Sequence, residues 1–175
     1  MIICAGNNET FDFATPMGVG LVEMAMNLTR LCLFDKPEFL LFVGSAGSYG
    51  NYRIFDIVES KTASNIELSF LQKKAYTPLD NIICAKEDKK EDVIVNSSNY
   101  ISTDGQIVKK FPPLGIEIEN MEFFSVLRIA QEFDIPAGGV FCITNYCNEN
   151  AHHDFLANHN RAKELLGSYI RRLGK

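Results

Sequence analysis

Residues 115–144, GIEIENMEFFSVLRIAQEFDIPAGGVFCIT, change their hydrophobic period twice within one stretch. Ile116 and Ile118 alternate with glutamates, which is typical of a β-strand. From about Asn120 the apolar residues follow helical spacing, and a second apolar run, GVFCIT, comes after a turn that contains Pro136. A strand, a helix and another strand in this order favour an α/β domain with a largely parallel sheet.

The same alternation continues outward along the chain. Helices are predicted at residues 21–34 and 152–173, and EFLLFVG (38–44) is a continuous apolar run typical of a strand buried on both faces. Shorter strands are expected at MIICA, IFDIVES, NIICA and DVIVNSS, helical structure at IELSFLQKKAY, a glycine-rich loop at SAGSYGNYR and a solvated turn at the charge run KEDKKED. These elements predict one three-layer α/β domain over residues 1–175, with a mixed, mostly parallel sheet.

The composition excludes several kinds of partner. The net charge of -5 and the scattered lysine pairs argue against a nucleic-acid partner. No apolar run reaches the roughly 18 residues that would span a membrane, and the first residues, MIICAGNNE, lack the features of a signal peptide. The five cysteines are odd in number and lie mostly in apolar stretches. We therefore expect a cytoplasmic protein with reduced thiols.

Three polar stretches follow predicted strands: GSAGS (44–48), ENME (119–122) and TNYCN (144–148). Ligands of α/β sheets bind beyond the carboxyl ends of strands, so these stretches are candidate binding residues. The Glu122 carboxylate can accept two hydrogen bonds from a diol, and the Asn145 amide can pair with the edge of a heteroaromatic base. Each stretch also has a simpler explanation: a tight turn, a helix N-terminal acid and an Asx turn, respectively.

Residues 142–159 contain all three histidines and two of the cysteines. Cys142 and Cys147 are spaced more widely than a usual zinc pair, and the adjacent His152 and His153 cannot share one face of a helix. We therefore expect no metal here. Cys142 is expected to point into the sheet, and His152 or His153 to lie near the mouth of a site.

In order along the chain, the motifs resemble the nucleoside phosphorylase and nucleosidase superfamily, and within it the 5′-methylthioadenosine/S-adenosylhomocysteine nucleosidases. The resemblance covers residues 14–60 and 93–170. It rests on PMGVGLVEMAMNL (Gly-x-Gly turn and helix), KPEFLLFVGSAGSYG (strand and Gly-Ser-Ala-Gly stretch), IFDIVES, VNSSNYI, IENMEFFSVLRIAQEFDIP (Met-Glu signature), FCITNYCN (the strand that ends in Ser-Asp in the family) and FLANHNRAKELL. Each motif alone is weak, and their order makes the signal specific.

The resemblance implies cleavage of the N-glycosidic bond of a purine nucleoside. The implied substrate-binding residues are Gly44, Ser45, Tyr100, Ile101, Met121 and Glu122, and the implied catalytic residues are Asn145 and Glu9. Glu122 would hold the ribose hydroxyls with Met121 beneath the sugar, and Asn145 would contact the purine N7. Ser45 would contact the sugar or the nucleophile, Tyr100 and Ile101 would line the base pocket, and Glu9 would activate water.

Three departures from the family pattern bear on activity. Asn145 replaces an aspartate, and Phe42 stands where phosphate-binding phosphorylases have an arginine. The segment between Glu9 and Ala14 is short, whereas the family has further strands at this position. Phe42 favours hydrolysis or binding without turnover, although phosphate stays open as a co-substrate and no other cofactor is implied. A degenerate member that binds a nucleoside or base without catalysis, or a structural subunit, is the alternative. The family also implies a homodimer or a larger homo-oligomer.

Overall fold

The computed structural model describes residues 1–85 and 92–174. The predicted turn at KEDKKED therefore lies, apart from Asp92, outside the described residues. The strands are β1 (Ile2–Cys4), β2 (Thr15–Pro16), β3 (Leu40–Ser48), β4 (Ile57–Ser60), β5 (Thr62–Ser64), β6 (Ile82–Cys84), β7 (Ile94–Ser97), β8 (Ile116–Asn120) and β9 (Ala137–Tyr146). The α-helices are α1 (Gly20–Asp35), α2 (Leu68–Leu71), α3 (Phe123–Glu132) and α4 (Ala151–Leu173).

Within the described residues the strands form one mixed, mostly parallel sheet with β3 at its centre. The pairs β1–β2, β1–β3, β3–β9, β5–β7 and β7–β8 are parallel, whereas β3–β8, β4–β9 and β5–β6 are antiparallel. One edge of β3 pairs with β9 along its whole length, and the other edge pairs with β1 at its start and with β8 at its end. The last residues of β3, β8 and β9 are therefore neighbours.

Side chains that alternate along the central strands separate the core into two layers. Phe42 and Phe141 pack with the buried residues of α1 and α3, whereas Val43 and Cys142 pack against α4 on the opposite face. This alternation follows from the two-residue period of a strand, and it explains why β3 and β9 are apolar on both faces. The predicted three-layer α/β/α arrangement is confirmed, as is the inward orientation of Cys142.

The prediction of a glycine-rich loop directly after EFLLFVG is wrong for residues 45–48, which belong to β3. The strand continues because β9 pairs with it as far as Ser48 and β8 pairs with Gly47 and Ser48 on the other edge. Gly47 is required by crowding, since a Cβ there would lie 2.8 Å from the Cys147 Sγ. Asn145 likewise lies inside β9 instead of beyond its end, so it is not part of an Asx turn.

Candidate active site

A cavity of about 280 Å³ lies where the ends of β3, β8 and β9 meet. Because β3 and β8 are antiparallel and overlap only at their last residues, their carboxyl ends come together beside the end of β9. The lining residues that were expected from the sequence are Glu9, Ser45, Tyr100, Ile101, Met121, Glu122 and Asn145. Gly44 lies beside the cavity, and a Cβ on it would be 3.2 Å from the Glu9 Oε2. His152 lines the cavity, whereas His153 is exposed and contacts Asp154.

Glu122 is a buried carboxyl group that receives only neutral donors. Its Oε1 accepts a hydrogen bond from the Gly20 N–H at 2.8 Å, and its Oε2 accepts from the Met121 N–H at 3.2 Å and from the Asn120 amide at 3.1 Å. Burial raises the pKa of Glu122 to about 7; the Gly20 N–H opposes this shift, and the nearby Glu9 carboxylate adds to it. The group therefore titrates near neutral pH and faces the cavity.

The helix-start explanation for Glu122 does not match its contacts. The N–H groups of Glu122 and Phe123 donate to the Asn120 Oδ1 at 3.3 and 3.1 Å, so Asn120 provides the side-chain cap of α3. The Glu122 carboxylate instead reaches the first residue of α1, Gly20. Glu122 thus connects the turn after β8 to the start of α1 and leaves the capping of α3 to Asn120.

Glu9 is held over β3 by a short loop. Its Oε1 accepts a hydrogen bond from the Ser45 N–H at 3.0 Å. The preceding residue, Asn8, is fixed against α4, since its carbonyl oxygen lies 2.7 Å from the His159 Nε2 and 3.2 Å from the Lys163 Nζ. The Ser45 N–H of β3, which faces this part of the cavity, is therefore already hydrogen-bonded to the Glu9 carboxylate.

The Asn145 amide has a defined orientation. Its Oδ1 accepts a hydrogen bond from the Thr144 hydroxyl at 2.9 Å, and its Nδ2 donates to the Tyr146 carbonyl at 3.2 Å. A primary amide has two N–H groups, so one donor is left for a ligand in the cavity. Asn145 acts there as a hydrogen-bond donor, and it cannot transfer a proton as an acid would.

Glu119 is a cavity residue that the sequence-based prediction missed. Its Oε1 accepts from the Ser102 N–H at 2.9 Å and its Oε2 from the Tyr49 hydroxyl at 2.8 Å. The alternation in IEIE indicates an exposed face for this side chain, yet it is only 8% exposed because β3 and the segment around Ser102 cover it. The only available signal was its place in the polar ENME stretch. Phe155 of α4 also lines the cavity and was not predicted.

Among residues 1–85 and 92–174, no cluster of three or more His, Cys, Asp or Glu side chains is arranged to hold a metal ion. Cys142 and Cys147 belong to different core clusters. No helix in the same described part of the chain has the length and hydropathy needed to cross a membrane.

Solved structures of similar fold include 5′-methylthioadenosine/S-adenosylhomocysteine nucleosidases and a futalosine hydrolase, whereas no protein-family model and no curated protein matches the chain by sequence. A mutant of the Helicobacter pylori 5′-methylthioadenosine nucleosidase with 5′-methylthioadenosine in its active site matches with a TM-score of 0.76 at 16% identity, over 91% of this chain and 78% of that one. Futalosine hydrolase of the same organism matches with a TM-score of 0.76 at 17% identity, over 90% and 76%.

The Streptococcus pneumoniae 5′-methylthioadenosine/S-adenosylhomocysteine nucleosidase with a transition-state inhibitor matches with a TM-score of 0.76 at 12% identity, over 97% of this chain and 95% of that one. Identities this low establish similarity of fold alone. The chain has the fold of the nucleoside phosphorylase and nucleosidase superfamily.

Proposed function

We propose that this protein cleaves the N-glycosidic bond of a purine nucleoside, with water as the nucleophile. The observation that carries the proposal is the shared cavity of Glu9, Glu122 and Asn145, which come from a loop, the turn between β8 and α3, and strand β9. Two carboxyl groups can stabilise a sugar cation and accept a proton from water, and an amide N–H can donate to the leaving base. The neighbouring solved structures, which include two kinds of hydrolytic enzyme, support the same class of reaction.

In the proposed reaction the bond between C1′ and the base nitrogen breaks, and its electron pair goes to the base. Ionised Glu122 accepts hydrogen bonds from the ribose hydroxyls and stabilises the positive charge that develops on the sugar, while Met121 lies beneath the ring. Asn145 donates to N7 of the leaving base, which takes its proton from solvent because an amide cannot supply one. Water adds to C1′ and gives its proton to Glu9.

Two contacts favour water over phosphate as the nucleophile. The Ser45 N–H, which could bind an anion, already donates to the Glu9 carboxylate, whose charge would repel phosphate. Phe42, where the phosphorylases have an arginine, is fully buried against Phe123 and Phe141. Its side chain is part of the core and offers no positive charge.

Incubation with inosine, guanosine, adenosine and 5′-methylthioadenosine, with and without phosphate, tests the proposal by chromatography of the released base. We expect release from at least one nucleoside at the same rate in both conditions. Release that requires phosphate would make the protein a phosphorylase. If no base is released in either condition, the enzymatic proposal fails.

The second candidate is a protein that binds a nucleoside or base without turnover. The specific observation in its favour is that Asn145, the residue proposed to contact the leaving base, is an amide and has no acidic proton to transfer. A ligand that binds only the folded state raises the melting temperature by mass action. Stabilisation by a nucleoside that stays intact after prolonged incubation would identify this function.

A further inference from the structure

The Asn120 side chain lies between the Glu122 carboxylate and the end of a neighbouring strand. Asn120 is the last residue of β8 and the register partner of Ser97, the last residue of β7. The Ser97 hydroxyl donates to the Asn120 Oδ1 at 2.9 Å, and the Asn120 Nδ2 donates to the Glu122 Oε2 at 3.1 Å. All three residues are at most 9% exposed. A buried chain of hydrogen bonds therefore leads from β7 to the candidate active site.

The backbone of α3 allows only one orientation of the Asn120 amide. The N–H groups of Glu122 and Phe123 approach the Asn120 Oδ1 at 3.3 and 3.1 Å. A backbone N–H can only donate, so a reversed amide would point its own NH₂ group at two donors. The Phe124 N–H likewise donates to the Ser97 oxygen at 3.0 Å, which turns the Ser97 proton toward Asn120. The Asn120 N–H is thereby directed at Glu122.

The Asn120 amide is, in the part of the chain that the structure describes, the one side-chain donor to Glu122. The other donors are the Gly20 and Met121 N–H groups, and no ion pair of the described residues includes Glu122. An N–H donor favours the ionised form of a buried carboxyl group, whereas burial and a nearby carboxylate favour the neutral form. The other titratable side chains around the site are Glu9, Glu23 in the first turn of α1, Tyr100, Glu119 and His152.

We propose that Asn120 is a positioning residue, which holds the Glu122 carboxylate toward the sugar and favours its ionised form. This inference rests on the proposed function, in which ionised Glu122 acts on the ribose. Capping of α3 requires only the Asn120 Oδ1, and an aspartate or a serine at this position would cap the helix about as well. The amide N–H on the other side is the group that the proposed role requires.

Asn120→Asp separates positioning from capping, because it keeps the capping oxygen and replaces the N–H donor by a carboxylate oxygen beside Glu122. Two carboxyl groups at this distance titrate as a pair. While the pair holds one proton, that proton can replace the amide donor, and loss of this proton removes the donor. We therefore expect kcat/KM of the variant to rise and then fall with pH, with the fall at least about one unit above the wild-type midpoint. A profile that levels off as in the wild type would leave capping as the only role of Asn120.

An NMR titration of isotope-labelled glutamate carboxyl groups follows Glu122 directly and requires no nucleoside. The Glu122 signal is identified by its absence in Glu122→Gln. The wild type should show one step at about pH 7, and Asn120→Asp should show a second step at least about one unit higher. The matched control is Asn99→Asp, at an exposed residue that accepts from the Leu21 N–H at the start of α1. Because an exposed charge is screened, this control should move the midpoint by less than about 0.3 unit.

A second variant, Asn120→Ser, removes the donor without adding a charge, and serine can still cap α3. It should raise the Glu122 midpoint and lower kcat/KM by about tenfold, because the carboxylate is held less well. A single Glu122 step at the wild-type midpoint in both folded Asn120 variants would overturn the inference and leave glycosidic cleavage standing. Shifted midpoints without base release from any nucleoside would support the control of Glu122 by Asn120 and refute the catalytic proposal.

Discussion

Glu122 has a structural contact and a proposed chemical role in the same carboxyl group. It accepts a hydrogen bond from Gly20 at the start of α1, and it also lines the cavity beside Asn120 and Met121. A buried carboxyl group of this kind is costly to ionise without a charged partner, which is why its pKa rises. A bound sugar diol would supply the missing donors.

We expect Glu122→Gln to lower kcat/KM for a cleaved nucleoside by about 10²-fold, the usual effect of removing one electrostatic group in a transition state. The free energy of unfolding should change by only about 1 kcal/mol, because the amide keeps its bond to Gly20 and loses weaker ones at the other oxygen. Kinetics and urea unfolding of the same preparation at pH 8 measure both quantities. A destabilised variant with full activity would show that Glu122 has a structural role and no catalytic role.

The pH dependence of activity follows from the same group. If ionised Glu122 is required, kcat/KM should rise with pH up to about 7 and then level off, because the ionised fraction of the free enzyme increases over this range.

The folded protein binds the Glu122 proton more tightly than the unfolded chain does. The free energy of unfolding should therefore fall as the pH rises from the ordinary glutamate value to about 7. Glu122→Gln should give a flat kcat/KM profile between pH 5.5 and 8.5. A flat profile in the wild type would contradict a catalytic role for ionised Glu122.

At the scale of elements, the helices were the part most readily predicted. Met24, Leu28 and Cys32 form the buried face of α1, as their spacing indicates. The helix ends at Asp35 and is followed by Lys36, the C-cap residue, which has a left-handed φ of 45°. The extent of β3 was not predicted, because small residues such as Gly47 are as common in loops as in crowded strands. Only the hydrogen-bonded pairing with β8 and β9 shows that these residues form a strand and not a loop.

The loop that carries Glu9 depends on α4 for its position. We expect His159→Ala to lower kcat by about tenfold, because losing the contact with the Asn8 carbonyl lets Glu9 shift from its position on Ser45. The matched control is His153→Ala on an exposed part of the same helix, which should keep wild-type activity. Unchanged kcat in a correctly folded His159→Ala protein would show that the loop is held without this contact.

At the scale of the whole molecule, one side of the cavity remains open. Tyr100 lines the cavity yet is 80% exposed, and the adjacent outer face of α1 exposes Val22, Met26 and Leu33 at helical spacing. The two regions are joined by the hydrogen bond from the Leu21 N–H to the Asn99 side chain. Exposed apolar side chains that continue from a site in this way favour burial against another molecule.

We therefore expect a homodimer in which a second copy covers this face, as the family resemblance also implies. Light scattering at micromolar concentration should give the dimer mass for the wild type and the monomer mass for Met26→Glu, because a charge would be buried in the interface. Leu173→Glu, which changes a similarly exposed apolar residue at the end of α4, should remain a dimer. A monomeric wild-type protein would refute the expectation of a homodimer.

The expectation that residues 1–175 form one domain also stays a prediction.

The fold class could be predicted from the sequence, because hydrophobic period is a local property that the chain carries in order. Polar strand ends indicated Glu122 and Asn145, whereas Glu9, Tyr100 and Ile101 came from the family resemblance alone. Glu122 and Asn145 line the same cavity, and their role there stays a prediction. Tertiary packing was needed to show that Asn120 caps α3, that Glu9 accepts from the Ser45 N–H and that Glu119 is a buried acceptor. These features depend on strands and loops far apart in the sequence, and the direction and burial of a polar side chain follow from such packing.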